Sequence, residues 1–356
     1  MSAPVNCDLT NPNPSGPATP FAPFTCGPLS NPSFGLNDPT VTQYSHDSQF
    51  GWGKRSFDWE FSAGVQREIA PRVSVDVSYF RRWYGNWVVT DNTALSASQY
   101  TTFTVSNVPG LPPELQGATG TAVEGNSNVQ SNLVTRSLDY GNMTERWNGV
   151  DFSVNARLRN GVFLFGGIST GRTIVDNCAV VAQVPEALTV TINNSAIAFS
   201  PSNCHFEQPF LTQYKANGSY NVPKADVQLS VAFMSLPGPA VRAETTVTER
   251  APGQPLQGAN ASLLVPLIPE YFTLPSAVAG GPSVISKEYG DRLNQLDVRV
   301  GKVVRLGVTR TTFTFDVYNL CNGNAAQFEN NRAQSFRSPT SVQLARFIKL
   351  GAQFDF

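Results

Sequence analysis

The chain has 356 residues, a formal net charge of −1 and only 14% charged residues, against roughly 25% in a typical soluble domain. That balance excludes the basic surface that recruits nucleic acid. No apolar run reaches the roughly 18–20 residues that a membrane-crossing helix needs.

The opening, MSAPVNCDLTNPNPSG, has neither the basic n-region nor the apolar h-region of a signal peptide. The expectation is either a cytosolic protein or a chain whose N-terminal part is missing. Cys7 and Cys26 flank a Pro/Gly/Asn-rich segment, Cys178 and Cys204 flank another, and Cys321 is left alone. Cysteines that bracket loops in this way suggest two disulfides in an oxidising compartment. A metal site is the rival reading, but there is no CxxC and only His46 and His205 are available to assist. Unpaired thiols are the remaining alternative.

Residues 1–53 read as a loop segment, and strands begin at about residue 54. In SFDWEFSAGVQREI, Phe57, Trp59, Phe61, Ala63, Val65 and Ile69 share one parity, interrupted by Arg67. Asp58, Glu60, Ser62 and Gln66 share the other, the period-2 pattern of a strand with one oily and one wet face. After a minimal turn at 70–72, Val73, Val75, Val77, Tyr79, Trp83, Trp87 and Val89 align on one face of a second strand. A second hairpin runs through NGVDFSVNARL, turns at Arg159–Asn160–Gly161 and returns in VFLFGGISTGR; Asn-Gly is a strong short hairpin signal. A third pairs FLTQYKANGSYNV with ADVQLSVAF across 222–224. A fourth pairs NQLDVRVGK with TRTTFTFDVYNL across 303–308. The chain closes in RFIKLGAQFDF, with Ile348, Leu350, Ala352, Phe354 and Phe356 on its oily parity.

Nine strands result, joined alternately by short turns and by long connections at 91–140, 179–207, 251–282 and 324–340. Four long structureless connections are odd in a compact soluble domain. They are expected of an outer-membrane barrel, with short turns at one rim and long external loops at the other. Strands of ten residues or so fit a tilted crossing of the hydrocarbon layer, and in lipid only a closed barrel leaves no sheet backbone unpaired. Trp52, Trp59, Trp83, Tyr84, Trp87 and Trp147 fall toward the loop ends, where aromatic residues anchor a barrel at the water–hydrocarbon boundary. A soluble sandwich, which also alternates aromatic residues through its core, is the competing architecture. The expected fold is all-β: an antiparallel up-and-down transmembrane β-barrel, of which residues 54–356 form a C-terminal portion. The lipid-facing residues are then Phe57, Trp59, Phe61, Ala63 and Val65 on the first strand, and Ile348, Leu350, Ala352, Phe354 and Phe356 on the last.

The terminal strand, with Ile348, Leu350, Phe354 and a final Phe356, resembles the C-terminal signal read by the barrel-assembly machinery of Gram-negative outer membranes. GWGKRSFDWEFSAGVQREIAPRVSVDVSYFRRWYGNWVVTDN resembles the late barrel region of Oar-like TonB-dependent receptors, which carry a carboxypeptidase-regulatory-like domain. CDLTNP…CGPLSNPSFG, PFLTQYKANGSYNVPKADVQLSVAFMSLPG, DRLNQLDVRVGK and PTSVQLARFIKLGAQFDF resemble the same family in the same order. The resemblance implies an outer-membrane receptor or importer, energised through a TonB complex that contacts an N-terminal region missing here. It also implies about 22 strands, of which nine are found, so the chain reads as a fragment.

A His-based triad or zinc site is improbable with two loop histidines. Asp58, Glu60, Asp76, Asp151, Asp226, Asp297 and Asp316 lie on wet parities. They read as a solvated wall balanced by Arg82, Arg157, Lys215 and Arg299, in preference to a glycosidase-like pair. GGISTGR lacks the Gly-Lys-Ser/Thr ending of a phosphate loop. No cofactor and no enzymatic activity are expected. The partners are outer-membrane lipid, the assembly machinery, the TonB complex and a ligand that loop sequence does not define. A surface adhesion or structural role for the same loops is the alternative to transport.

Overall fold

The computed structural model describes residues 42–126, 128–158, 161–192, 195–198, 200–257, 262–272, 284–307 and 309–355. Nine long strands run in chain order: β1 Phe57–Ala70, β2 Val73–Gly85, β3 Thr144–Arg157, β4 Val162–Asp176, β5 Leu211–Val222, β6 Val227–Leu236, β7 Leu293–Leu306, β8 Thr309–Tyr318 and β9 Phe347–Asp355. Each pairs antiparallel with the next in sequence, in one sheet. A short strand, His205–Glu207, adds to β4 beyond the end of β5. No pairing joins β1 to β9, so the sheet is open among the described residues and both of its edge strands are exposed along nearly their whole length.

The register links every strand through directly opposed residues, which share a face of the sheet. Val65 stands opposite Val77, Val77 opposite Phe152, Phe152 opposite Ile168 and Ile168 opposite Tyr214. On the far side, Phe233 opposes Leu296, Val300 opposes Phe315 and Phe315 opposes Leu350. The parity of Trp59 on β1 and that of Leu350 on β9 are therefore one continuous face, although 291 positions of sequence separate these two residues. That face is apolar and uncovered: Trp59 is 61% exposed and Leu350 76%. Its arginines keep to the two ends: Arg67 lies near the short turns, and Arg81, Arg146 and Arg172 lie toward the long connections.

The rows of opposed residues drift along the strands. The row that starts at the turn end of the first hairpin, Ala70 opposite Val73, passes through Ala156, Leu164, Gly218 and Val231. It reaches Val298 near the middle of β7, and Val317 and Ile348 near the opposite ends of β8 and β9. The drift is about one residue per strand. With about 3.4 Å per residue and about 4.8 Å between strands, it inclines the strands by roughly 35°.

All four short turns lie at one end of the sheet. The first is tight, with Arg72 in the left-handed region (φ 66°) and its N–H donating to Glu68 Oε1 at 2.7 Å. The fourth differs from the 303–308 read from sequence. The strand pattern continues through Val303, Val304 and Arg305, and the chain reverses only at Gly307, whose φ of 64° suits glycine.

The long connections depart furthest from expectation, because they are not structureless. β2 stops at Gly85 instead of running on through Trp87, since Asn86 takes a positive φ of 54° and turns the chain. Val88–Asn92 then pairs with Asn132–Arg136, and Thr42–Tyr44 adds in parallel on the other side. Strands from different loops also join: Glu244–Val247 pairs with Leu263–Pro266, which meets Ser195–Ala198 in parallel. Loops 86–143, 177–210, 237–292 and 319–346 thus assemble into a cap at one end of the sheet. Its core is mixed: Trp87, Val89 and Met143 pack with Val180 and Val184, while Leu115 packs with Val241, Ala243 and Ala333. Of the buried apolar side chains among the described residues, only Ala156, Ile174 and Val175 belong to the nine strands.

Candidate functional site

The wet face of the sheet meets the underside of the cap in a cleft of about 610 Å³, within the range of small-ligand sites. Alternation on β1, β2 and β3 sends Glu60, Arg82, Trp147 and Asp151 into it, and Val284 and Ile285 of a cap strand form its roof. Trp147 lies flat on the wall. A Cβ on Gly149 would fall 2.2 Å from its ring, and one on Gly171, directly opposite Gly149, 2.4 Å. Two facing glycines are therefore what lets the indole rest on the backbone with its other face toward the cleft.

The charges of the cleft are unequal. Arg82 is its one lining cation, and it is already engaged: its Nε donates to Asp58 Oδ2 at 2.9 Å, and its guanidinium stacks 5.2 Å from the Tyr84 ring. The Glu60 and Asp151 carboxylates have no hydrogen bond or ion pair among the described residues, and Glu145 is buried at the cap end. Gln208 accepts from the Thr173 N–H at 3.1 Å and donates to the Tyr289 hydroxyl, which ties the wall to the cap.

A second recess of about 490 Å³ lies farther along the same face, over β5 to β8. There Arg299 donates to both oxygens of Asp316, at 2.5 and 3.0 Å, and Asp316 is buried. Asp297 accepts from Gln295 and from the Asn319 N–H, Asp76 accepts from Ser78 at 2.9 Å, and Asp226 pairs with Arg305 at 3.4 Å. Most wet-face carboxylates are thus held by local partners, whereas Glu60, which faces Arg82 across the ladder, and Asp151 have no hydrogen bond or ion pair among the described residues and line the same cleft as Trp147.

Cys178 and Cys204 form a disulfide with a Cα separation of 4.8 Å, which closes loop 177–210 within the cap. Cys7, Cys26 and Phe356 lie outside the described residues, and Cys321 is an exposed free thiol. Of the aromatic residues read as boundary anchors, Trp59 and Trp83 stand directly opposite each other on the apolar face near the loop end. The others do not join them. Trp52 is fully exposed ahead of β1, Trp87 is buried in the cap core, and Tyr84 and Trp147 are on the wet face and line the cleft. The reason is parity: Tyr84 is one residue from Trp83, and that step turns a side chain to the opposite face. Ile348, Leu350 and Phe354 lie on the apolar face of β9.

Neither described histidine lines the cleft. His205 sits on the cap strand beside β4, with Nδ1 3.1 Å from Asp176 and Nε2 3.4 Å from Glu207. The Asp176 hydrogen bond, more than that of Glu207, raises its pKa above the ordinary imidazole value. Among the described residues, no group of three or more His, Cys, Asp or Glu side chains is placed to hold a metal ion. The cap contains a buried charged cluster: Arg242 pairs with both Glu244 and Glu270, and Asn331 donates to Glu244 at 2.9 Å. Glu270 is wholly buried, and that burial raises its pKa against the opposing pull of Arg242.

No family model matches this chain, and no curated protein matches it in sequence. No helix among the described residues is long and apolar enough to cross a membrane, which leaves open a crossing by strands.

Proposed function

We propose that the nine strands are the C-terminal part of an outer-membrane β-barrel, and that the chain serves a receptor or transporter whose external cap captures ligand. The observation that carries this reading is the single apolar face that continues through the register of all nine strands and is left uncovered. Monomeric soluble proteins rarely expose contiguous apolar patches beyond a few hundred Å². Hydrocarbon is a solvent in which such a face is stable, and a strand tilt near 35° is that of closed barrels. Two bare edges are untenable in lipid, so further strands close the sheet against β1 and β9. The aqueous side is then the wet face, and the cap lies at the external rim with its disulfide.

Energised uptake through a TonB complex is the role implied by the sequence resemblance, and the cleft under the cap supports it as a place for a captured ligand. The same cap, folded around its own core, also supports surface adhesion. The membrane reading is tested by expressing the full-length protein that carries this chain in a Gram-negative host and fractionating the envelope. Recovery in the outer membrane, with a folded band that shifts on heating in gel electrophoresis, is the expected result. A soluble, monomeric, cooperatively unfolding protein would overturn it. Transport and adhesion separate in the same cells: ligand accumulation that needs the inner-membrane energy source favours transport, and binding without accumulation favours adhesion.

A further inference from the structure

We infer that the cleft beside Trp147 binds an organic cation: an ammonium group carrying small apolar substituents. This rests on the proposed function only in taking the wet face as open to water. Three observations meet at one place. The Trp147 indole lies across Gly149 and Gly171, and Arg82, its directly opposed neighbour, has its guanidinium over Tyr84 instead. An aromatic face is electron-rich and attracts a cation held within about 6 Å, and Trp does so best. Glu60 and Asp151 line the same cleft without a hydrogen bond or ion pair among the described residues, and Glu60 shares the attraction of the opposed Arg82 with Asp58, so the lining carries more negative than positive charge. Arg82, the one cation of the lining, is already engaged by Asp58 and stacked on Tyr84. An anionic ligand would meet net repulsion here. A neutral saccharide would find the stacking surface but would not use the charge imbalance. The apolar roof of Val284 and Ile285 suits methyl or methylene groups on the nitrogen.

The test uses the full chain folded in detergent micelles at pH 7 and isothermal titration calorimetry. Three probes are compared: choline, its neutral isostere 3,3-dimethyl-1-butanol, and maltotetraose. Choline should bind, with the isostere weaker by about tenfold or more. Trp147→Ala should abolish choline binding and Trp147→Phe should retain most of it. Asp151→Asn should weaken it several-fold with the far-ultraviolet circular dichroism unchanged, and this variant decides the matter if Trp147→Ala fails to fold. The inference is overturned by absent choline binding, by equal binding of the isostere, or by indifference to both Asp151→Asn and Trp147→Ala. Binding of maltotetraose in place of choline would overturn it in favour of a saccharide platform. Insertion of the same preparation into liposomes is scored separately. Insertion without choline binding defeats this inference alone, and choline binding without insertion defeats the membrane reading alone.

Discussion

The nine-stranded sheet and the cap obtain their stability from different sources. The cap buries side chains against itself and against the end of β4: Phe206, Tyr271 and Ile285 close on one another and on Val175 of β4, and Val105 and Ala122 close on Leu263 and Val265. The sheet satisfies its backbone through eight antiparallel ladders yet leaves Trp59, Val65, Phe313 and Leu350 outward on one face. Hydrophobic burial is worth about 25 cal/mol per Å² only where water is excluded. The cap excludes water by its own packing, whereas nothing among the described residues covers the apolar face of the sheet. The difference shows that strand content alone does not locate a core; the covering of the apolar face does.

Changes confined to one region should leave the other intact, and that separation is open to test. The largest effect is expected at Phe206, which is wholly buried and stacks 6.3 Å from Tyr271. Phe206→Ala should cost about 3–5 kcal/mol, read as faster proteolysis within the cap while the sheet's circular dichroism persists. Loss of both together would mean that cap and sheet form one cooperative unit. On the sheet, Leu350→Arg places a charge on the outward face, at a cost of roughly 2–4 kcal/mol near a bilayer midplane. Gln353 stands opposite Thr312 on the wet face, so Gln353→Arg should cost little. Urea midpoints of the liposome-folded variants compare the two, and an equal loss would refute the assignment of faces.

The disulfide acts on the cap alone. Replacing Cys178 and Cys204 by serine removes a closure across 26 positions, worth about 3 kcal/mol in the chain-entropy model. It should expose loop 177–210 to protease without altering the circular dichroism of the sheet; an unchanged cap would show that packing already fixes the loop. The smallest effect is that of pH. Glu270 is buried with its pKa raised, so the folded cap holds a proton that the unfolded chain gives up from about pH 4.5. Its contribution is therefore greatest at low pH and is lost as pH rises through the raised folded value. Glu270→Gln should flatten that decline between pH 5 and 9 in thermal melts monitored by a cap probe. A decline equally steep in the variant would assign it to another group.

Alternation in the sequence by itself determined the nine strands, their order and which residues share a face, because the period of two is local to each strand. Trp59 and Leu350 each declare their parity within a dozen residues, and Asn160-Gly161 marks its own turn. The rest depended on pairing between distant segments. That the apolar parities of β1 and β9 form one face follows from the register of every intervening strand. That Trp87 is buried follows from where β2 ends, whereas Tyr84 and Trp147 turn to the wet face by the same local parity. The cap was illegible for a related reason. Its described strands are two to five residues long, too short for periodicity, and its core is assembled from loops more than a hundred positions apart, as where Leu115 meets Val241. The cleft needed both parts. Glu60 and Asp151 are wet-face residues by pattern, but only the tertiary structure sets them beside an indole laid on two facing glycines, because that neighbourhood exists across strands and not along any one of them.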